Sequence, residues 1–235
     1  MASASAAATV VETKEEDMKI STLALAGVGL AAASRFALRN TGVTLHERRR
    51  PLPGDDLVPG AGAPWTMAAT VDAPPAAVWQ WLVQMGCDRG GFYSFDHIDN
   101  AGHPSVEEIR PEWQTLQPGD PIASRPDGKT WFVVAEVEPE RTLVLRSSLE
   151  VPGFRPYDPA QGRPRFFVDS SWTFALEPLA SRTRVLTRVR SAQRPRLVGL
   201  VAGFLLFDPA HYVMQTRQLV RVRRLAEAAE LVKAA

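Results

Sequence analysis

The segment RGGFYSFDHIDN, residues 89–100, sets Arg89, Tyr93, Asp96, His97, Asp99 and Asn100 within twelve positions beside two glycines, and Glu112 follows shortly after. A carboxylate or imidazole can take a proton from an enolisable substrate, and a tyrosine hydroxyl can steady the enolate that forms. Tyr93, Asp96, His97 and Glu112 are therefore the candidate catalytic set of a cyclase or dehydratase. The same residues have a plainer use. Asp96 and Asn100 can cap backbone groups of an irregular loop, Tyr93 can pack with its hydroxyl satisfied, and Arg89 can pair with a carboxylate. Ser94 lacks the Gly-x-Ser-x-Gly setting of a hydrolase nucleophile, so that chemistry is excluded.

Other chemistries leave no mark. The single cysteine, Cys87, permits no intrachain disulfide, and four histidines without helical ligand spacing predict no metal centre. No cofactor is expected. The net charge of +1 hides an asymmetry, because residues 181–235 carry eleven Arg and Lys against three Asp and Glu. Such a surface attracts anionic lipid or nucleic acid. No groove-reading motif and no paired-aromatic signature accompany the arginines, so nucleic acid is not an expected partner.

These residues need elements to hold them. Thr66 to Val71 reads as a strand, and Pro74-Pro75 then opens a helix whose apolar face is Val78, Trp79, Leu82 and Met85. Beyond residue 118 the period becomes two. Trp131, Val133, Ala135 and Val137, then Leu143 and Leu145, then Trp172, Phe174 and Leu176 mark an antiparallel meander. In its last strand Thr183, Val185, Thr187 and Val189 face away from Arg182, Arg184, Arg188 and Arg190, which predicts one apolar and one wet face. Asp208-Pro209 opens a final helix reaching about Val232, with Tyr212, Leu219, Val222, Ala226 and Ala229 as its buried stripe. The eleven residues 197–207, LVGLVAGFLLF, are too few to cross a bilayer as a helix. They either plug the core or lie on a membrane.

The N-terminal region divides by composition. Residues 1–19, small then acidic, predict a disordered tail. Residues 20–38 are apolar and admit three readings: a short membrane anchor, a cleaved secretory signal, or a helix packed on the protein. If they span, the arginines that follow put the rest of the chain on the cytoplasmic side. A soluble cytoplasmic protein is the alternative. Proline and glycine make residues 39–64 a linker, and the folded domain is expected over 65–235.

Particular words carry a resemblance to a known family. In ATVDAPPAAVWQWLVQMGCDRGGFYSFDHIDN, residues 69–100, a proline-opened helix carrying Val78-Trp79 leads to Gln84-Met85-Gly86 and then to Arg89, Gly91, Tyr93, Ser94 and Asp96. With LPGDDLVP at 52–59, Pro111 to Gln114, and the Trp172-x-Phe174 strand, this resembles a bacterial branch of the START-like superfamily of polyketide cyclases and lipid-transfer proteins (SRPBCC). The resemblance implies an α+β helix-grip fold, an antiparallel sheet wrapped around a long C-terminal helix, with a cavity between them. The ligand expected there is a hydrophobic small molecule or lipid, with an anionic membrane surface as a second partner. Tyr93, Asp96, Trp113, Trp131, Trp172, His211 and Met214 are the candidate ligand-binding residues. Trp79, Trp131 and Trp172 also sit at core periodicity, where packing alone accounts for them. The fold alone does not choose between carriage, cyclisation and a scaffold that has lost its cavity.

Overall fold

The computed structural model describes residues 29–234. The tail expected at 1–19 and most of the apolar stretch expected at 20–38 lie outside the described residues; what is described of that stretch is helical, in a helix (α1) at residues 29–39. By its contacts the chain divides after Leu38.

From Arg39 onward the architecture is the helix grip. Seven antiparallel strands, β1 (Trp65–Val71), β2 (Pro121–Ala123), β3 (Trp131–Glu138), β4 (Thr142–Glu150), β5 (Arg155–Pro156), β6 (Phe167–Leu179) and β7 (Arg182–Arg194), form one sheet. Its order is β1-β7-β6-β4-β3-β2, with the two-residue β5 paired to β4. Helix α2 (Leu45–Arg49) precedes the sheet, and α3 (Pro75–Val83) with the single turn α4 (Asp96–Asp99) lies between β1 and β2. Helix α6 (Asp208–Ala234), 27 residues long, crosses the face of the sheet that carries Trp65, Met67, Leu143, Leu145, Trp172 and Phe174. Leu219, Val222, Leu225 and Ala226 are its buried stripe. Pro75 starts α3 where a missing N–H costs nothing.

The structure corrects three details of the expected pattern. In β3 the helix-facing residues are Phe132 and Val134, since Val134 pairs with Leu145, while Trp131 and Val133 lie on the other face and are 37% exposed. A bulge between Val134 and Glu136 inserts one residue, so Val137, opposite Leu143, returns to the helix side. One extra residue inverts the phase of everything before it. Trp131 is thereby removed from the candidate ligand-binding set.

Secondly, the middle of the arginine face of β7, at Arg184, Arg188 and Arg190, is covered and not wet. Residues 39–64, expected as a linker, run across it as a strap. Leu52 and Val58 are buried, and Thr173 Oγ1 donates to Pro53 O at 2.8 Å. Gly54, at φ +80°, sits so close to the sheet that a Cβ would meet Val144 Cγ1 at 2.5 Å. Glu47 pairs with Arg184 at 2.7 Å, Asp55 with Arg188 at 2.7 Å, and Glu177 with Arg50. Glu47 also caps α2 with Thr44, and the hydrogen bond from Arg184 holds its carboxyl down at about 2. Part of the cationic surface read from the composition, Arg184, Arg188 and Arg190, thus lies inside the fold.

Finally, α6 does not start from a loop at Asp208. Helix α5 (Arg196–Ala202) continues through one wide π-helical turn, Gly203–Phe207, directly into α6. Proline within a helix lacks a donor and collides with the carbonyl four residues back, and a widened turn relieves this. Pro209 therefore produces a bulge here in place of a helix start.

Candidate functional site

The loop region after α3 is locked by buried polar side chains. Gln84 Nε2 donates to Tyr93 Oη at 2.6 Å and to Glu108 O at 3.1 Å, while its Oε1 accepts from Arg110 N and Gln114 Nε2. Tyr93 is fully buried with φ 58°, and burial pushes its phenol up to about 12. Asp96 accepts from Ser105 N at 3.0 Å, from Ser105 Oγ at 2.5 Å and from Arg221 Nη1 of α6 at 3.1 Å. Burial works against its charge, but the Ser105 and Arg221 hydrogen bonds outweigh it and hold the carboxyl below its usual range. His97 and Glu112 are exposed. Trp113 is half-buried, and its carbonyl accepts from Arg89 Nη2 at 2.6 Å. Arg89 thus meets a backbone oxygen where a carboxylate was expected.

The structure therefore brings Tyr93 and Asp96 into one hydrogen-bonded region through Ser105, whose Oγ also accepts from Tyr93 N at 3.1 Å. His97 and Glu112 do not join them. Asp96, tied to Ser105 and Arg221 and 21% exposed, is positioned as a clamp between the loop and α6. Ser105, Gln84, Gln114 and Arg221 were not among the sequence candidates. Arg221 stands 125 positions from Asp96, a separation at which no local spacing signals a pair.

Asp99 behaves differently. Both carboxyl oxygens are enclosed without a hydrogen bond of ordinary geometry, as is the nearby Ser94 Oγ, and Cys87 Sγ meets the Asp99 carbonyl at 2.8 Å. Burial, with the charge of Asp96, raises the Asp99 carboxyl from 3.8 to about 6. Folding holds this proton more tightly than the unfolded chain does. Its stabilising effect is complete below the ordinary value of 3.8 and is lost as the pH rises through about 6. Asp99→Asn should accordingly stabilise the protein by about 1 to 3 kcal/mol at pH 7.5 and by close to nothing at pH 4. Denaturant midpoints at the two pH values check this; an equal effect at both would contradict it.

Between sheet and α6 four aromatic rings gather. Trp172 lies 4.7 Å from Phe174, 5.6 Å from Phe132 and 6.3 Å from Phe92, centroid to centroid. Trp172 Nε1 donates to Gln215 Oε1 at 3.1 Å, and Gln218 Nε2 donates to Phe92 O at 2.8 Å. The space between sheet and helix is thus lined by clustered aromatics and two buried glutamines, with Trp172 and Phe132 themselves half-buried. Phe132 was legible only with the β3 phase inverted. At the N-terminal end of α6, Asp208 accepts from Trp65 Nε1 at 3.2 Å and Arg39 Nη2 at 3.1 Å. His211 stacks on Phe207 at 5.4 Å and meets Trp65 edge-on at 4.9 Å. Burial pushes its imidazole down to about 4, with Asp208 acting in the opposite sense. Met214 is half-buried further along the same helix.

The open apolar feature lies just before this. Leu197, Leu200, Val201, Leu205, Leu206 and Phe207 are each 50% or more exposed, Leu197 and Leu206 above 70%. Leu197, Val201, Ala202, Leu205 and Leu206 line a depression of about 470 Å³. Gly199 seats α5 on β7, because a Cβ there would meet the Gln193 side chain. Arg194 and Arg196, at the root of α5, are exposed, and no acidic residue occurs between Glu177 and Asp208.

No protein-family model and no curated protein matches this chain. Among solved structures, a protein from Arthrobacter aurescens is similar at 14% identity and TM-score 0.41, over 73% of this chain and 92% of its own. One from Nitrosomonas europaea is similar at 17% identity and TM-score 0.40, over 71% and 95%. DynU16, a protein in the dynemicin biosynthetic locus, is similar at 15% identity and TM-score 0.39, over 66% of this chain and 45% of its own.

Among the described residues no helix is long and apolar enough to cross a membrane.

Proposed function

We propose that the protein engages lipid, docking on an anionic bilayer surface through α5 and the π turn. The observation that carries this is the exposure of Leu197, Leu200, Val201, Leu205 and Leu206 beside Arg194 and Arg196. A fully buried leucine-sized side chain contributes about 1.5 to 3 kcal/mol. Each arginine near an anionic surface adds about 1 kcal/mol. Apolar contact therefore sets the affinity and charge sets the preference.

Flotation of the full chain with vesicles of neutral lipid, and of neutral lipid mixed with phosphatidylserine, tests the reading. Binding to both is expected, tighter with phosphatidylserine, and high salt should remove only the difference by screening the arginines. A chain that stays with the soluble fraction for both vesicle types would end the proposal. So would binding that salt abolishes completely, which would assign the attachment to charge alone. Capture by a protein and not by vesicles would convert the surface into a protein-docking site.

A further inference from the structure

On the sheet face opposite α6, Asp169 of β6 is fully buried between two arginines. Arg146 donates to it from Nε at 3.2 Å and Nη2 at 3.0 Å, Arg163 from Nη2 at 2.9 Å, and Ser148 from Oγ at 2.8 Å. Two guanidinium groups on one carboxylate leave one positive charge uncompensated within the cluster. Both guanidinium groups are partly open, with 22% and 27% of the side chain exposed. They form the floor of a depression of about 290 Å³ whose walls are Leu57, Pro59, Pro159 and Ala160.

The donors of the cluster are only partly used. Arg163 Nη1 donates to Pro59 O at 2.8 Å, which ties the strap to the floor, but among the described residues no hydrogen bond takes Arg146 Nη1 or Arg163 Nε. The Tyr157 hydroxyl is enclosed beside the cluster without a hydrogen bond of ordinary geometry. Asp158, the nearest acidic side chain in the sequence, is turned away to cap the Pro159–Gln161 turn through Ala160 N at 2.9 Å and Gln161 Nε2 at 3.1 Å. Rigid, partly desolvated guanidinium groups bind carboxylates better than isolated surface lysines do, because the fork is already oriented.

We infer that this cup is a binding site for a small organic acid, its carboxylate on the spare N–H groups of Arg146 and Arg163 and its apolar body against Leu57, Pro59 and Pro159. The cup lies across the sheet from α6 and is independent of lipid docking. Its volume is at the lower edge of ligand pockets, which sets the size to a single ring or a short chain. Benzoate is the probe, with inorganic phosphate as the anion that has no apolar body. Titration of the full chain at constant ionic strength, followed by amide chemical shifts, should show saturable benzoate binding localised to these residues and weaker phosphate binding. Ala160→Phe fills the cup without touching the ion cluster and should weaken benzoate at least about tenfold. Arg163→Gln should do likewise. Benzoate binding that Ala160→Phe leaves unchanged, phosphate binding as tight as benzoate, or no saturable binding of either would overturn the inference.

Discussion

Leu205→Asp with Leu206→Asp should release the full-length chain from vesicles, weakening partition by roughly 10²- to 10⁴-fold, the effect of removing two leucine-sized burials from a lipid contact. The two side chains are 62% and 71% exposed, so the fold gains little from them and the denaturation midpoint should stay with the parent. Leu231→Asp is the control. Leu231 is as exposed, at 73%, but stands on α6 more than 30 Å by helical rise from the π turn, a separation of about 1.5 Å per residue. It should leave partition unchanged. If the double variant floats with vesicles as the parent does, α5 is not the contact. If Leu231→Asp is equally disabling, the apolar surface is diffuse and the proposed geometry fails.

The fold was legible because its signals are periodic and local. Alternation along β6 and β7, the proline at the start of α3 and the spacing of Leu219, Val222 and Ala226 each follow from one element's own geometry. Errors arose where a neighbour overrides the local pattern. The bulge after Val134 moved Trp131 to the outer face although both phases of β3 carry large apolar residues, so hydrophobicity could not choose between them. Pro209 reads as a helix start unless the π turn upstream of it is known. The strap was hidden for another reason. Its residues 51–64 form no helix or strand, as their prolines and glycines dictate, yet Leu52 and Val58 are buried by a sheet whose arginines looked like solvent-facing charge.

The candidate site was legible as a cluster but not as a mechanism. Tyr93 and Asp96 do meet in one region, as their closeness within 89–100 suggests. What bears on their role lies elsewhere in the chain: Gln84 donates to the Tyr93 hydroxyl, and Ser105 and Arg221 donate to the Asp96 carboxylate. Asp99, in sequence one more loop carboxylate, has both oxygens enclosed without a hydrogen bond of ordinary geometry. Burial separates the two, and burial is a tertiary property.

The strap makes the strongest stability prediction. Arg188 is 3% exposed and all five of its N–H groups have acceptors. Nε donates to Thr66 Oγ1 at 3.0 Å, Nη1 to Arg50 O at 2.8 Å and Asp55 Oδ2 at 2.7 Å, and Nη2 to Glu47 O at 2.8 Å and Arg48 O at 3.2 Å. Removing one partner of a buried ion pair costs about 3 to 5 kcal/mol, because the remaining charge and carbonyls are left enclosed. Arg188→Ala should lose that much in denaturant unfolding and expose residues 51–64 to proteolysis under conditions the parent resists. Arg188→Lys should recover little, since an ammonium has three donors and no planar fork. Arg182 reads identically in the sequence, on the same face of the same strand, but is 55% exposed with Asp72 at 4.0 Å. Arg182→Ala should change stability by no more than about 0.5 kcal/mol. Equal, small effects at both positions would mean that the strap is held by Leu52 and Val58 alone, and that the arginine only fills the space beneath it.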